Sequence, residues 1–307
     1  MEEQLATLTA QAIDGNPKKR DILITILKDQ SLSEKQFIVI FTTLKGKLQS
    51  LIKHHEVLIT YFITCKWDFN DESANLFGDL VQDLVSSKAM FLKTIVRSLI
   101  SQFQLKAAVE DNCLEQLKRK FNYIHKLIET ITTIAPLSRK FICDAIDSFF
   151  PYIGKALPIL EIYTFNVLQM TTYLEDIKCQ ILAIVIDKML MIDVQVPRQI
   201  EANTSTNDEL NLQFEMEEEE EIAKKVVSPE VEKMDQLMCV LYQYVESFCL
   251  VDNEFCLKKS KSLFKDLLYV FENVILKTQQ SSHVQFVVYH AACLDKVSQL
   301  YYLYCVP

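Results

Sequence analysis

With 307 residues, half of them hydrophobic, the chain has the material for a large core, but four Gly and seven Pro leave little for strands, tight turns or phosphate-cradling loops. A single core stops growing at about 250–300 residues, so two domains or one elongated array is expected. The net charge of −9 sits in one segment: the nine acids between Gln199 and Glu221 face no base there, so the rest is neutral on balance and offers no broad attraction to a phosphate backbone.

The chain opens Met1-Glu2-Glu3-Gln4, acidic where a secretory signal carries its positive region. Its most apolar stretches, Ile181–Ile192 and Val284–Leu294, fall short of the about 20 residues that span a bilayer, and the first carries Asp187 and Lys188. A soluble protein is expected. Nine cysteines (Cys65, Cys113, Cys143, Cys179, Cys239, Cys249, Cys256, Cys293, Cys305) form no CxxC pair, and most lie among apolar residues. They read as buried free thiols of a reducing compartment rather than a zinc site or a disulfide framework.

In chain order, apolar residues recur with a period near 3.6 and predict helices near 17–29, 33–52, 54–66, 71–86, 88–104 and 112–134. Further helices are predicted near 138–149, 157–173, 175–193, 230–250, 258–277 and 282–304, with no convincing period-two run. Phe121, Ile124, Leu127, Ile128, Ile131 and Ile134 share one helix face, as do Leu76, Phe77, Leu80, Val81, Leu84 and Val85. Asn16-Pro17 and Ser228-Pro229 read as an N-cap followed by a first helical proline, and Ser33 with Gln36 has capping-box spacing. Pro136, Pro151 and Pro158 punctuate the pattern at helix edges. Pairs of helices recur at roughly 40 residues, the period of HEAT-like arrays. The expected fold is therefore all-α, a HEAT-like helical-repeat solenoid. Residues 195–229, polar and acidic, read as a disordered insertion between repeats at 1–194 and their continuation at 230–307.

No residue pattern supports catalysis. There is no GxSxG elbow, P-loop or GxGxxG. His54-His55-Glu56 lacks HExxH spacing, and adjacent helical residues point about 100° apart, so the cluster reads as a polar junction. His283 and His290, taken on one helix, would stand about 10 Å apart, too far to share a metal. His125 sits in an amphipathic helix and calls for no special role. The pairs Asp71-Glu72, Glu110-Asp111 and Glu175-Asp176 fall at helix starts, where carboxylates complement the dipole. No enzyme, cofactor or metal is expected. The run Glu217, Glu218, Glu219, Glu220 and Glu221 reads either as a solvated stretch or as a contact for a basic partner. Trp67 and the twelve tyrosines read as core and groove packing.

Particular strings go further. Ile181 to Val194 (ILAIVIDKMLMIDV) resembles a segment of the RNA polymerase I-specific initiation factor family TIF-IA. Asn166-Val-Leu-Gln-Met and Tyr173-Leu resemble the helix before it, and in that family the segment also leads into an acidic insertion. Glu232 to Met238, Cys249-Leu-Val-Asp252 and His283-Val-Gln-Phe286 are similar to family strings in the same order. Phe149-Phe-Pro-Tyr152 and Leu84 to Leu92 match less closely. The resemblance covers about residues 20–305 and implies a HEAT-repeat factor, shortened at its C-terminus, that acts in the nucleus and nucleolus. Such a factor binds RNA polymerase I subunits and bridges the enzyme to promoter-bound initiation factors at ribosomal RNA genes. It acts by binding alone, with direct nucleic-acid binding weak or absent, no membrane, and a homodimer among the expected assemblies. Phosphorylation tunes such contacts. Ser86 and Ser87, read as starting the loop before a helix, and Ser228, a minimal proline-directed site, are the candidate positions, with helix capping as the competing role. The rival reading is a helical-repeat adaptor for another cargo, in transport or assembly.

Overall fold

The computed structural model describes residues 2–28, 32–64, 71–105, 114–195, 229–252, 254–278 and 281–294. Among these, the chain is built of helices: α1 (Glu2–Ile13), α2 (Pro17–Lys28), α3 (Glu34–Gly46), α4 (Glu56–Ile63), α5 (Asp71–Ser87), α6 (Leu92–Ser101) and α7 (Leu114–Ile134). Then come α8 (Ser138–Phe149), α9 (Leu157–Met170), α10 (Lys178–Asp193), α11 (Pro229–Phe248), α12 (Leu257–Asn273) and α13 (Phe286–Cys293). The all-α helical-repeat expectation holds. The contacts divide the chain into two compact units, Met1–Ile184 and Val185–Pro307, with the boundary inside α10.

In the first unit the helices stack in two rows. α1, α3, α5 and α7 each pack on the next of that series, and α2, α4, α6 and α8 do the same, while α1 and α2 form the opening hairpin. The amphipathic pattern explains this. α6 buries Leu92, Ile95, Val96, Leu99 and Ile100, and each such side chain contributes about 1.5–3 kcal/mol by leaving water. Each second-row helix from α4 to α8, and α10 after them, is entered through a tight turn. These are the 3-10 turns Lys53–His55, Ala89–Phe91 and Glu175–Ile177, and the hydrogen-bonded turn at Ala135–Leu137. Their starts at 53, 89, 135 and 175 lie 36, 46 and 40 residues apart, so the repeat of roughly 40 residues is real in three dimensions. Two of the three caps read from sequence form, while Ser228, the third, lies outside the described residues. Gln36 Oε1 accepts the Ser33 N–H at 2.7 Å, and Asn16 Oδ1 accepts the Lys19 N–H at 3.2 Å.

Gly78, in the middle of α5, is where α7 comes closest. A Cβ there would lie 2.6 Å from Tyr123 Oη, whose hydroxyl donates to the Ala74 carbonyl. Burial pushes the Tyr123 phenol up to about 12.

Within Val185–Pro307, α11 packs on α12 and α13, and α12 packs on α13. Between α11 and α12 the chain forms a two-stranded hairpin, β1 (Leu250–Val251) and β2 (Glu254–Phe255), paired Leu250 with Phe255 and Val251 with Glu254. Asp252 adopts φ 52°, a left-handed value that Asp tolerates, and the Cys256 N–H donates to the Cys249 carbonyl at 2.8 Å.

Three expectations need correction. α1 was not expected, because its buried face is Leu5, Thr9, Ala12 and Ile13, too weakly apolar to register as periodic. The hairpin was not expected either, since two-residue strands are too short to show a period. The buried-thiol reading holds for Cys249 alone of the six described cysteines. Cys143, Cys179 and Cys256 are half-buried and Cys239 and Cys293 are exposed, all of them free.

Candidate functional site

Four of the five histidines, His55, His125, His283 and His290, make specific structural contacts. His55, at the end of a 3-10 turn, is buried, and its Nδ1 accepts the Ile52 N–H at 3.0 Å. Burial holds its pKa below the ordinary histidine value. It lines, with His54, Asp14 and Arg20, a cleft of about 430 Å³ beside the α1–α2 turn. Asp14 there is engaged by Lys47 at 2.6 Å. Among the described residues no group of three or more His, Cys, Asp or Glu is placed to hold a metal ion. Among them, too, no helix is long and apolar enough to cross a membrane.

His125 proves more consequential than its sequence context indicates. It is buried on α7, with Nδ1 2.8 Å from Tyr173 Oη and Nε2 3.1 Å from Asn166 Oδ1 on α9. Asn166 Nδ2 donates to the Ile162 carbonyl, so its Oδ1 is free to accept. That assigns the proton to Nε2, leaving Nδ1 to accept from the tyrosine hydroxyl. Phe103 lies 4.9 Å from the imidazole ring centre to centre. Burial pushes the His125 pKa down to about 4, against which the Asn166 bond acts, so the ring is neutral at physiological pH. Asn166 and Tyr173 both belong to the family-like strings, and their function here is to lock α7 to α9.

A second pair of family-like strings meets in the other unit. Asp193, the aspartate of the string 181–194, sits with its side chain wholly buried. Its Oδ2 accepts backbone N–H groups from Ser282 at 2.9 Å, His283 at 3.0 Å and Val284 at 3.3 Å. Its Oδ1 stands 2.6 Å from His283 Nδ1. Burial alone would raise the Asp193 pKa, but the His283 ring and the three amides together outweigh it and hold the carboxyl below its usual value. One carboxylate thus fixes the start of the segment leading into α13, some ninety residues away in sequence. His283 precedes α13 rather than sharing a helix with His290, which instead approaches Glu246 on α11 at 3.3 Å.

One surface in Met1–Ile184 suited to partners is the edge formed by the turns into the second-row helices. Ile52, Met90 and Leu137, one at each of the first three of these turns, are exposed, as is Val57 on the first turn of α4. Neighbouring turns touch: Lys88 Nζ donates to the Gln49 carbonyl at 2.9 Å, and Arg139 pairs with Asp176 at 3.4 Å. Ser86 and Ser87 lie at this edge but close α5 rather than open the following loop. Both are exposed, and their hydroxyls donate back to the Gln82 and Asp83 carbonyls at 2.8 Å and 2.5 Å. A phosphate there would stand at a helix C-terminus, beside the acids Asp79 and Asp83 that Lys45 holds at 3.6 Å and 3.3 Å. Ser228, Glu217 to Glu221, and the proposed insertion at 195–229 except its first and last residues lie outside the described residues, as does Trp67.

Comparison with known proteins agrees with the strings. A family model described as RNA polymerase I specific transcription initiation factor RRN3 matches residues 5–305. The RNA polymerase I-specific transcription initiation factor RRN3 of mouse (Mus musculus) is 26% identical, the match covering 90% of this chain and 46% of the mouse protein. The corresponding rrn3 protein of Schizosaccharomyces pombe is 22% identical over 86% of this chain and 47% of its own length. The chain therefore spans about half the length of these curated relatives. A crystal structure of the RNA polymerase I transcription initiation factor Rrn3 superposes with a TM-score of 0.72 at 16% identity, covering 99% of this chain and 59% of that one, a likeness of fold.

Proposed function

The chain belongs to the RRN3 family of RNA polymerase I-specific transcription initiation factors, and from that premise we propose that it works by binding alone, engaging RNA polymerase I and bridging it to promoter-bound factors at ribosomal RNA genes. The observation that carries this reading is the family match over residues 5–305. The architecture is suited to such work. A row of stacked helices holds its turns in fixed order, and three successive turns each expose an apolar residue, Ile52, Met90 and Leu137, as a protein-binding edge requires. The site of action would be the nucleus and nucleolus. Ser86, Ser87 and Ser228 would carry regulatory phosphates, and Glu217 to Glu221 would meet a basic partner surface.

At Ser86 and Ser87 the regulation has a physical form. A phosphate adds about two negative charges at the end of α5, where the dipole and Asp83 both repel it, so the last turn of the helix would loosen beside Met90.

The test is affinity purification of the tagged chain from nuclear extract, probed for RNA polymerase I subunits. The paired variant Met90→Glu with Leu137→Glu, both at exposed positions, is run beside it. Recovery of the polymerase by the parent chain and its loss in the variant supports both the function and the edge. Recovery of a different complex would favour an adaptor for another cargo and overturn the proposal.

A further inference from the structure

The loop joining α11 to α12 has a composition that folding alone does not account for. Its hairpin and the first residue of α12 leave Leu250, Val251, Phe255 and Leu257 exposed at 41%, 41%, 47% and 45%. Leu250 and Phe255, paired across the hairpin, share one of its faces, Val251 stands on the other, and Leu257 opens α12. So many exposed apolar side chains in one short segment is the pattern of an unfilled contact rather than of scattered surface residues. Immediately beyond, the start of α12 carries Lys258, Lys259 and Lys261, all exposed, with no acid in its first turn. That is the wrong sign for a helix start, where unpaired N–H groups make cations unfavourable. Lys259 reaches back over the Phe248 ring at 5.6 Å. Among the described residues neither Lys258, Lys261 nor the following exposed Lys265 has a carboxylate within 4.0 Å.

We propose that this hairpin and the first turns of α12 form a docking surface for a protein segment that combines carboxylates with apolar anchors. The apolar side chains decide the class of partner. A nucleic-acid strand would use the lysines and stack on Phe255, but it gains little from Leu250 and Leu257, whereas an acidic peptide with leucine or phenylalanine anchors draws on these aliphatic side chains as well as on Phe255 and the lysines. The charge on α12 supplies the complementarity: carboxylates docked there would relieve the mismatch with the dipole and pair with the lysines together. The surface lies within Val185–Pro307 and does not depend on which assembly the chain serves.

The test uses the whole chain and fluorescence polarisation of a labelled peptide of about 12 residues alternating glutamate with leucine and phenylalanine. Controls are an oligoglutamate and a single-stranded oligonucleotide of about the same length. The expected result is saturable binding of the mixed peptide, weakened about tenfold by Lys258→Glu with Lys261→Glu, and by a similar factor by Leu250→Ser with Phe255→Ser. The lysine variant guards against misfolding, because putting acids at a helix start should leave the melting temperature equal to or above the parent's. Absence of mixed-peptide binding, or binding indifferent to both variants, overturns the proposal. So does equal binding of oligoglutamate, or tighter binding of the oligonucleotide. Replacing Glu217 to Glu221 with Gln should leave affinity unchanged. A gain of about tenfold there would make the chain's own acidic run the occupant and overturn a partner in trans.

Discussion

Replacing His125 should change how the protein responds to acid, and the size of the change follows from the buried network. In the folded state the imidazole is held neutral down to about pH 4, whereas an exposed histidine in the unfolded chain has a pKa of 6.5. Because the folded pKa is depressed, the stabilisation is fully present above about pH 6.5 and is lost as pH falls towards about 4, where the loss is complete. The depression of about 2.5 units corresponds to about 3 kcal/mol over that window, of which about 2 kcal/mol is gone by about pH 5. His125→Gln removes the titrating group. It should cost stability at neutral pH by disturbing the bonds to Tyr173 and Asn166, but its stability should then fall less steeply with acid. Urea unfolding followed by far-ultraviolet circular dichroism at several pH values from about 7.5 to 4.5 measures this. Carboxylates and the other histidines titrate in both proteins, so the difference between the two curves isolates His125. The gap should shrink by about 2 kcal/mol between about pH 7 and pH 5. Parallel curves over that range would refute the neutral, buried imidazole.

Other consequences are as direct. Asp193→Ala strands three backbone N–H groups and the His283 ring, and should destabilise Val185–Pro307 by about 2–4 kcal/mol, seen as earlier loss of hydrogen-exchange protection in α13. Because the Asp193 pKa is lowered in the fold, its contribution should be present above the ordinary carboxyl value of 3.8 and fade below it. Gly78→Ala, usually a gain of about 1 kcal/mol inside a helix, should instead destabilise by about 1 kcal/mol, because the methyl displaces the Tyr123 hydroxyl; thermal melting gives the sign. Brief alkylation under native conditions, mapped by mass spectrometry, should label Cys239 and Cys293 well before Cys249 and before Cys143, whose thiol burial pushes up to about 11.

Much of the helical framework was legible because burial leaves a period. α5 ends within a residue of its predicted limits, since Phe77, Leu80, Val81, Leu84 and Val85 form a full buried stripe, and α8 matches its limits because Pro136 and Pro151 bracket it. Where the buried positions are Thr9 and Ala12, as in α1, the stripe exists in space but not in any hydrophobic pattern. Ser86 and Ser87 were placed in a loop because the stripe of α5 stops at Val85, whereas the helix runs on through two serines that bond their own backbone. Cys239 shows the same limit: it lies between buried Met238 and Val240, yet points outward, as one residue in any helical run must. The pairing of Asp193 with His283 was beyond reach from either string alone, because it links backbone positions some ninety residues apart. The hairpin did leave a trace, Asp252-Asn253 between Leu250-Val251 and Glu254-Phe255, a turn dipeptide whose flanking strands are too short to show a period.

Direct engagement of RNA polymerase I by this chain is the proposal on which the rest depends, and purified components test it best. The polymerase and the chain would be mixed at moderate salt and followed by analytical ultracentrifugation, with the Met90→Glu, Leu137→Glu variant as control. Co-sedimentation of the parent chain in a fixed ratio, and none of the variant, is the predicted result. Separate sedimentation of the parent chain and the polymerase, with the chain folded by circular dichroism, would contradict it.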